Sequence, residues 1–132
     1  MIAVRPARPA DAIAIGAVHV AAWRNTYPSL LPGKFLANLS VSRQAAHYDR
    51  AIRAGEVVLV AVASAEDVPQ GGGARIVGFC TAARSPDPGP DGRRLGDGEI
   101  ATLYVLDDWR DRGIGRRLLS GAAQALAERG CA

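Results

Sequence analysis

The residues best suited to chemistry lie in one short stretch, RDRGIGRRLL, which spans residues 110–119. Arginine guanidinium groups bind phosphate oxygens through paired N–H donors, and glycine lets a ligand approach the backbone because it has no Cβ. An apolar run follows directly, and the first N–H groups of a helix at this position would be unpaired and would attract an anion. The stretch therefore predicts a phosphate-binding turn, with a solvated basic turn as the alternative.

The two common nucleotide-binding patterns do not fit this turn. A dinucleotide fingerprint would need a third glycine at position 118, where the chain has Leu118. A Walker pattern would need Gly-Lys-Ser or Gly-Lys-Thr, and neither follows. The pattern that remains is Arg-x-x-Gly-x-Gly, formed by Arg110, Gly113 and Gly115.

Strand and helix patterns alternate along the chain, and the last strand leads straight into the glycine turn. Alternating or β-branched runs predict the strands, and apolar steps of three and four residues predict the helices. The first predicted elements are an edge strand that stops at Pro6 and a helix from near Asp11 to Pro28. One or two helical pieces follow, and the later one begins at Ser40 or Ser42 and ends at Gly55. The remaining elements are a hairpin over roughly Val57 to Ala83, a central strand EIATLYVL and a final helix GIGRRLLSGAAQALAERG. This order predicts an α/β arrangement of two or three layers.

Two of these helices have a predicted apolar face. In the first helix the residues on three- and four-residue steps are Ile13, Ala17, Val20 and Trp23 or Arg24. In the last helix the residues on one side are Leu118, Leu119, Ala122 and Leu126, and Gly130 is the predicted stop.

The composition of the 132-residue chain is typical of one globular domain, with 48% hydrophobic and 22% charged residues. No apolar run approaches the ~18 residues of a membrane span, and the N-terminus lacks the layout of a secretion signal. A cytoplasmic protein without membrane contacts is therefore expected. The net charge is only +3, so nucleic-acid binding is not expected.

The cysteines and histidines predict neither a metal site nor a covalent nucleophile. Cys80 and Cys131 have no metal-ligand or redox spacing, and each is expected to be a buried or free thiol. His19 and His47 are isolated in the sequence and are expected to be structural or surface residues. Neither cysteine has an evident histidine partner that would activate it.

Taken together, EIATLYVLDDW, RDRGIG and RRLL resemble the GNAT acyltransferase family, whose members use acetyl-CoA or a related acyl-CoA. The opening RPARPADAIAI is similar to the family's first strand and helix. The resemblance implies a single GNAT-like α/β domain over residues 1–132, with the order β-α-α-β-β-β-α and a mixed, mainly antiparallel sheet flanked by helices. It covers the N-terminal two-thirds of the usual fold, so the C-terminal closing strands and the tyrosine helix that often supplies the acid are expected to be missing.

The resemblance also implies which residues form the site. The backbone of Leu103, Tyr104 and Val105 would contact CoA, and Trp23 and Tyr27 would lie near the acceptor. The residues whose backbone N–H groups would contact the phosphates are Asp111, Arg112, Gly113, Ile114, Gly115 and Arg116, with further charge from the side chains of Arg112, Arg116 and Arg117.

Two residues of the last strand have an expected role in catalysis. A backbone N–H of this strand could polarise the thioester carbonyl, and the resemblance points to Val105. Glu99 stands six residues before Val105 and so has the same strand parity. Its carboxylate could take the proton of the amine, directly or through water. The alternative is an exposed carboxylate at the end of a strand.

The expected function is transfer of an acetyl group from acetyl-CoA to a primary amine, by direct attack of the amine on the thioester. The alternative is a CoA-binding regulatory module, or a catalytically inactive one, that kept the phosphate turn. Without closing strands, apolar surface on the last strand and helix would lack cover, so a homodimer is predicted.

Overall fold

The structure is a computed structural model that describes residues 2–26, 40–68, 73–84 and 98–130. Its four strands form one sheet in the order β1-β2-β3-β4, and each neighbouring pair is antiparallel. The strands are β1 (Ile2–Pro6), β2 (Val57–Ala63), β3 (Arg75–Arg84) and β4 (Gly98–Val105). The helices are α1 (Ala12–Thr26), α2 (Val41–Arg53) and α3 (Ile114–Glu128). The predicted α/β class, the element order and the β2–β3 hairpin are confirmed.

The sheet separates two apolar clusters, because successive side chains of a strand point to opposite faces. On β2, Val57 and Leu59 pack in the cluster with α3, whereas Val58 and Val60 pack in the cluster with α1 and α2. All four side chains are buried, which explains the continuous β-branched run in the sequence. The molecule thus has three layers, with α1 and α2 on one side of the sheet and α3 on the other.

Helix α1 buries only part of the predicted face, since Val20 is buried as predicted but two other residues of that face are not. Ile13 is 71% exposed and Ala17 is also exposed, whereas Ile15, Val18 and Ala22 are buried. The helix packs against both α2 and the sheet, so its buried surface is broader than a single stripe. Because apolar residues occupy all but two of the first twelve positions of α1, the periodicity could not select the right face.

Helix α2 begins and ends where the sequence predicts. Ser40 is the N-cap, and its Oγ accepts a hydrogen bond of 3.0 Å from the backbone N–H of Arg43. Gly55 follows the helix with a φ of +81°, a left-handed conformation that glycine adopts without strain. This end delivers the chain directly into β2.

Helix α3 covers the opposite face of the sheet through Ile114, Leu118, Ala122 and Leu126, all of which are buried. Leu119 was predicted on the same face but is 40% exposed. It lies one residue, or about 100° of helical rotation, beyond Leu118, which takes it off the buried stripe.

Candidate functional site

The predicted phosphate turn joins β4 to α3 and is held by backbone hydrogen bonds. The N–H of Leu106 donates to Val77 on β3 at 2.9 Å, and the N–H of Trp109 donates to Leu106 at 2.9 Å. A short 3-10 turn, Asp107–Trp109, places the indole of Trp109 in the buried cluster under α3. The entry to the turn is therefore fixed before the glycines begin.

Two residues of the turn have left-handed backbone conformations. Asp111 has a φ of 63° and Gly113 has a φ of 76°. Aspartate is among the side chains that tolerate this region, and glycine adopts it freely. Gly113 is also the N-cap of α3 and has no side chain with which to cap the helix. The N–H groups at the start of α3 are therefore left for another acceptor.

Both glycines of the turn face open space. A Cβ added to Gly113 would meet nothing within 4 Å, and one added to Gly115 would meet only Leu103, at 3.9 Å. The space is part of a concavity of about 310 Å³, which we call the β4–α3 groove. Its lining residues are Leu103, Tyr104, Val105, Trp109, Arg110, Asp111, Gly113, Ile114 and Gly115.

The groove brings together most of the residues predicted to contact CoA. Arg112 and Arg116, also predicted, are exposed and do not line it. Trp109 and Arg110 line it without having been predicted as contacts. Both belong to the sequence pattern that carried the family resemblance, so this pattern was the signal that could have identified them.

The arginines of the turn differ in what they contact. Arg110 forms an ion pair with Asp107 at 3.1 Å, and the guanidinium of Arg112 lies 4.7 Å from the centroid of the Trp109 ring. Arg117 donates a hydrogen bond to the backbone carbonyl of Ile2 on β1. The expected contribution of Arg117 to charge around the phosphates therefore competes with a structural contact to β1.

Strand β4 has a free edge in the described part of the chain, where β3 is its sole strand neighbour. It was predicted as a central strand, and within the described residues it stands at the end of the order. Because Leu106 donates to β3 and successive residues of an antiparallel strand alternate in direction, the N–H and C=O groups of Val105 and Leu103 point away from β3. The amide predicted to polarise a thioester is thus open to a ligand.

The parity predicted between Glu99 and Val105 is interrupted by a bulge. Thr81 of β3 pairs with Thr102, but Ala82 pairs with Ile100, so β4 has one extra residue between the two pairs. Glu99 stands opposite Ala83 at the start of the strand. A simple two-residue alternation therefore does not extend from Glu99 to Val105, and the side chain of Glu99 lies outside the described residues.

The two residues predicted near the acceptor are only partly covered by the structure. Trp23 is half-buried in the last turns of α1. Tyr27 lies outside the described residues. The structure therefore places Trp23 on the helical layer that covers the other face of β4, and leaves its role in binding an acceptor as a prediction.

The residues of the groove fit the chemistry of CoA. Open helix N–H groups suit phosphate oxygens, and the free amides of a strand edge suit the amide groups of a pantetheine arm. The open space beside Gly113 and Gly115 leaves room for a phosphate to approach the backbone. Among the described residues, no cluster of His, Cys, Asp and Glu could hold a metal ion, and no helix is long and apolar enough to cross a membrane.

Solved structures of acetyltransferases share this fold. An N-acetyltransferase, PaiA, of Thermoplasma acidophilum in complex with coenzyme A has a TM-score of 0.67 at 16% identity, over 98% of this chain and 74% of that one. A GNAT family acetyltransferase of Brucella melitensis in complex with acetyl-CoA has a TM-score of 0.64 at 21% identity, over 99% and 71%. The ribosomal-protein-alanine N-acetyltransferase of the same organism has a TM-score of 0.62 at 25% identity, over 96% and 68%.

Sequence comparison leads to the same family. The uncharacterized N-acetyltransferase YuaI of Bacillus subtilis (strain 168) is 29% identical over 132 residues, which is 98% of this chain and 67% of that protein. The family model described as "Acetyltransferase (GNAT) family" matches residues 20–132, which include the end of α1, all of α2 and the β4–α3 groove. The chain therefore belongs to the GNAT family of acetyltransferases.

Proposed function

We propose that this chain is an N-acetyltransferase that binds acetyl-CoA in the β4–α3 groove and transfers the acetyl group to a primary amine. The observation that carries the proposal is the continuity of the groove, in which a glycine turn with open N–H groups adjoins the free edge of β4. Solved structures with this fold contain coenzyme A or acetyl-CoA, which supports the choice of ligand.

The proposed binding mode follows from the donors on each side of the groove. The N–H groups of residues 111–116 would hold the phosphates, and Arg112 and Arg116 would add positive charge. Leu103, Tyr104 and Val105 would bind the pantetheine arm along the strand. When bound, acetyl-CoA supplies the acetyl group as a thioester. The N–H of Val105, directed away from β3, would donate to the thioester oxygen as negative charge develops on it.

Direct attack of the amine is supported by the state of the described cysteine. Cys80 is fully buried, and its Sγ lies 3.5 Å from the carbonyl of Leu118. Burial raises the pKa of the Cys80 thiol to about 11, so the thiol is protonated at neutral pH and is a poor nucleophile. Transfer through an acyl group on Cys80 is therefore disfavoured. Cys131 lies outside the described residues.

The remaining parts of the proposal concern the acceptor side and assembly. A base near the acetyl group would take the amine proton, and Glu99 acting through water is the candidate that the sequence offers. Trp23 and Tyr27 are proposed as acceptor contacts. A homodimer is proposed because Leu103 and Leu119 expose 36% and 40% of their surface beside the free edge of β4 and on α3. Light scattering at high protein concentration tests the dimer, and a monodisperse monomer would exclude it.

Calorimetric titration with acetyl-CoA tests the cofactor proposal. Wild type should bind one acetyl-CoA per chain, and Gly115→Trp should not bind, because the indole would fill the space beside Leu103. Ala123→Trp places the same ring on an exposed position of α3 and should bind as wild type does. Binding to all three proteins with equal affinity would place the site elsewhere.

An assay of CoA release tests the transfer. The acceptors are a peptide with a free N-terminal alanine, Nα-acetyl-lysine and spermidine, and free CoA is measured with a thiol reagent. Release that depends on one of these amines supports N-acetyl transfer. Tight binding of acetyl-CoA without release on any of them would favour a CoA-binding module that does not catalyse transfer to these classes of amine.

A further inference from the structure

A cluster of aromatic and titratable side chains lies on the face of β4 opposite α3, and we call it the His19 cluster. The Nδ1 atom of His19 on α1 and the hydroxyl of Tyr48 on α2 share a hydrogen bond of 2.8 Å. The His19 ring meets the Tyr104 ring of β4 edge-on, with 5.2 Å between centroids. Phe79 of β3 closes the cluster by contacting both tyrosine rings.

Tyr104 connects this cluster to the proposed acetyl-CoA site. It lines the β4–α3 groove, and it directly precedes Val105, whose N–H points to the free edge of the strand. Its ring contacts His19 on the other face of β4. The ring of Tyr104 thus links His19 to the segment of β4 at which the acetyl group would be held.

The cluster keeps the imidazole of His19 able to accept a proton. Burial lowers the pKa of His19, and the electrostatic interaction with nearby His47 lowers it further. Burial raises the pKa of Tyr48, and Tyr104 adds to this effect, so the phenol of Tyr48 keeps its proton. These three groups, His47, Tyr48 and Tyr104, are the titratable groups that face His19 among the described residues.

The hydrogen bond to Tyr48 is compatible with a base at Nε2 in one of the two tautomers of His19, and the proposal uses that tautomer. A neutral phenol can accept a hydrogen bond from Nδ1–H, and the lone pair of His19 then resides on Nε2. Within the described part of the chain, Nε2 has no hydrogen-bond partner. Tyr48 is 3% exposed and packs against Phe79, so it holds the imidazole in place.

We propose that His19 takes the proton that the acceptor amine loses during transfer, and that Tyr48 is its positioning residue. The proposal rests on the proposed function. The amine nitrogen forms a bond to the carbonyl carbon as the carbon–sulfur bond breaks, and the electron pair of that bond leaves with sulfur. Nε2 accepts the proton from nitrogen, the thiolate takes a proton from solvent, and the imidazolium returns its proton to solvent.

The position of Glu99 strengthens the case for His19. Because a strand rises about 3.3 Å per residue, the backbone of Glu99 lies roughly 20 Å from that of Val105, less what the bulge removes. A proton would need a chain of water molecules to cover this distance. The His19 ring, in contrast, contacts the side chain of the residue next to Val105.

Histidine NMR tests the location of His19 without depending on turnover. The chain has two histidines, so His47→Gln assigns both imidazole signals. Saturating acetyl-CoA should shift the His19 signal, and the same addition to Gly115→Trp should leave it unchanged. If acetyl-CoA binds to wild type by calorimetry but does not move the His19 signal, the inference is wrong while the proposed function stands. If acetyl-CoA does not bind at all, both fail.

Kinetics test the role of His19, using the amine that gives the fastest CoA release. His19→Gln should lower kcat about 100-fold or more, leave the calorimetric affinity for acetyl-CoA unchanged, and abolish the fall of kcat at acid pH. Tyr48→Phe keeps the ring, and should lower kcat about five- to tenfold and displace the acid limb of the pH profile. Arg50→Gln, at an exposed position of α2, is the control and should stay within about twofold of wild type. An unchanged pH profile in His19→Gln, or a loss confined to Glu99→Gln, would overturn the proposal.

Discussion

Gly16 of α1 lies against the backbone of Ala45 on α2, so closely that a Cβ on Gly16 would stand 2.9 Å from the Ala45 nitrogen. One turn further along both helices, His19 and Tyr48 share their hydrogen bond of 2.8 Å. The missing Cβ therefore allows the helix crossing that brings these two side chains together. Gly16 and His19 can both be read from the sequence of α1, but nothing in that sequence indicates that both residues contact α2.

We expect Gly16→Ala to destabilise the fold by about 1–3 kcal/mol, because the added methyl group would push against backbone atoms of α2 that cannot rotate away. The measurement is the free energy of unfolding from a urea titration. Calorimetry on the same variant should show that the affinity for acetyl-CoA is retained, since the β4–α3 groove lies on other elements. An unfolding free energy equal to that of wild type would show that the helices can separate at little cost.

The same substitution at Gly115 should have the opposite effect on stability. Gly115 is helical and a Cβ there meets only Leu103 at 3.9 Å, so Gly115→Ala should raise the unfolding free energy by up to about 1 kcal/mol. Its methyl group would occupy space that the phosphate needs, so the affinity for acetyl-CoA should fall. A variant that is more stable and binds acetyl-CoA as tightly as wild type would contradict the proposed approach of the phosphate to Gly115.

The sequence predicted the turn better than it predicted the helix faces, and the reason is physical. The conformation of Gly113 depends on the residue itself, because glycine alone adopts a φ of 76° freely. The exposure of Ile13 and Leu119 depends on which neighbours pack against α1 and α3, and an apolar side chain at either position satisfies the same periodicity. Local chemistry could be read from the chain, whereas the orientation of an almost wholly apolar helix could not.

The bulge in β4 shows a second limit of prediction from sequence. Residues 98–105 form one strand, one residue earlier than the predicted 99–106. The register shifts between Thr81 and Ala82 of the partner strand. No glycine or proline in EIATLYV signals this shift. The equal strand parity expected for Glu99 and Val105 is therefore interrupted by the bulge, and this bulge depends on how β4 pairs with β3. The His19 cluster was missed for a similar reason, since its members come from four separate elements.

Asp11 should make folding sensitive to acid. Its carboxylate accepts hydrogen bonds from Arg5 at 2.8 and 3.1 Å and from the N–H of Arg8 at 2.7 Å. The Arg5 guanidinium holds the pKa of Asp11 below its ordinary value of 3.8. The stabilisation is complete above this ordinary value and is lost as the pH falls through the lower pKa of the folded state. Asp11→Asn should therefore weaken the dependence of the unfolding free energy on pH between about 5 and 2.

The control for Asp11 is the exposed ion pair on α2. Asp49 lies 3.0 Å from Arg53, and their side chains are 36% and 65% exposed. Asp49→Asn should change the unfolding free energy at neutral pH by no more than about 0.5 kcal/mol, while Asp11→Asn should cost about 1–3 kcal/mol. Equal losses in the two variants would show that burial of Asp11 does not strengthen its contacts.

Cys80 should be inert in the folded protein and dispensable for transfer. The thiol is fully buried between β3 and α3, and burial raises its pKa to about 11, so few thiolates exist at pH 7 and none is accessible. In a Cys131→Ala background, iodoacetamide followed by mass spectrometry should modify Cys80 in urea but not in buffer. Cys80→Ala should keep kcat for CoA release within about twofold, because the proposed attack comes directly from the amine. Loss of turnover in a Cys80→Ala variant that still folds and binds acetyl-CoA would instead require a step through this sulfur.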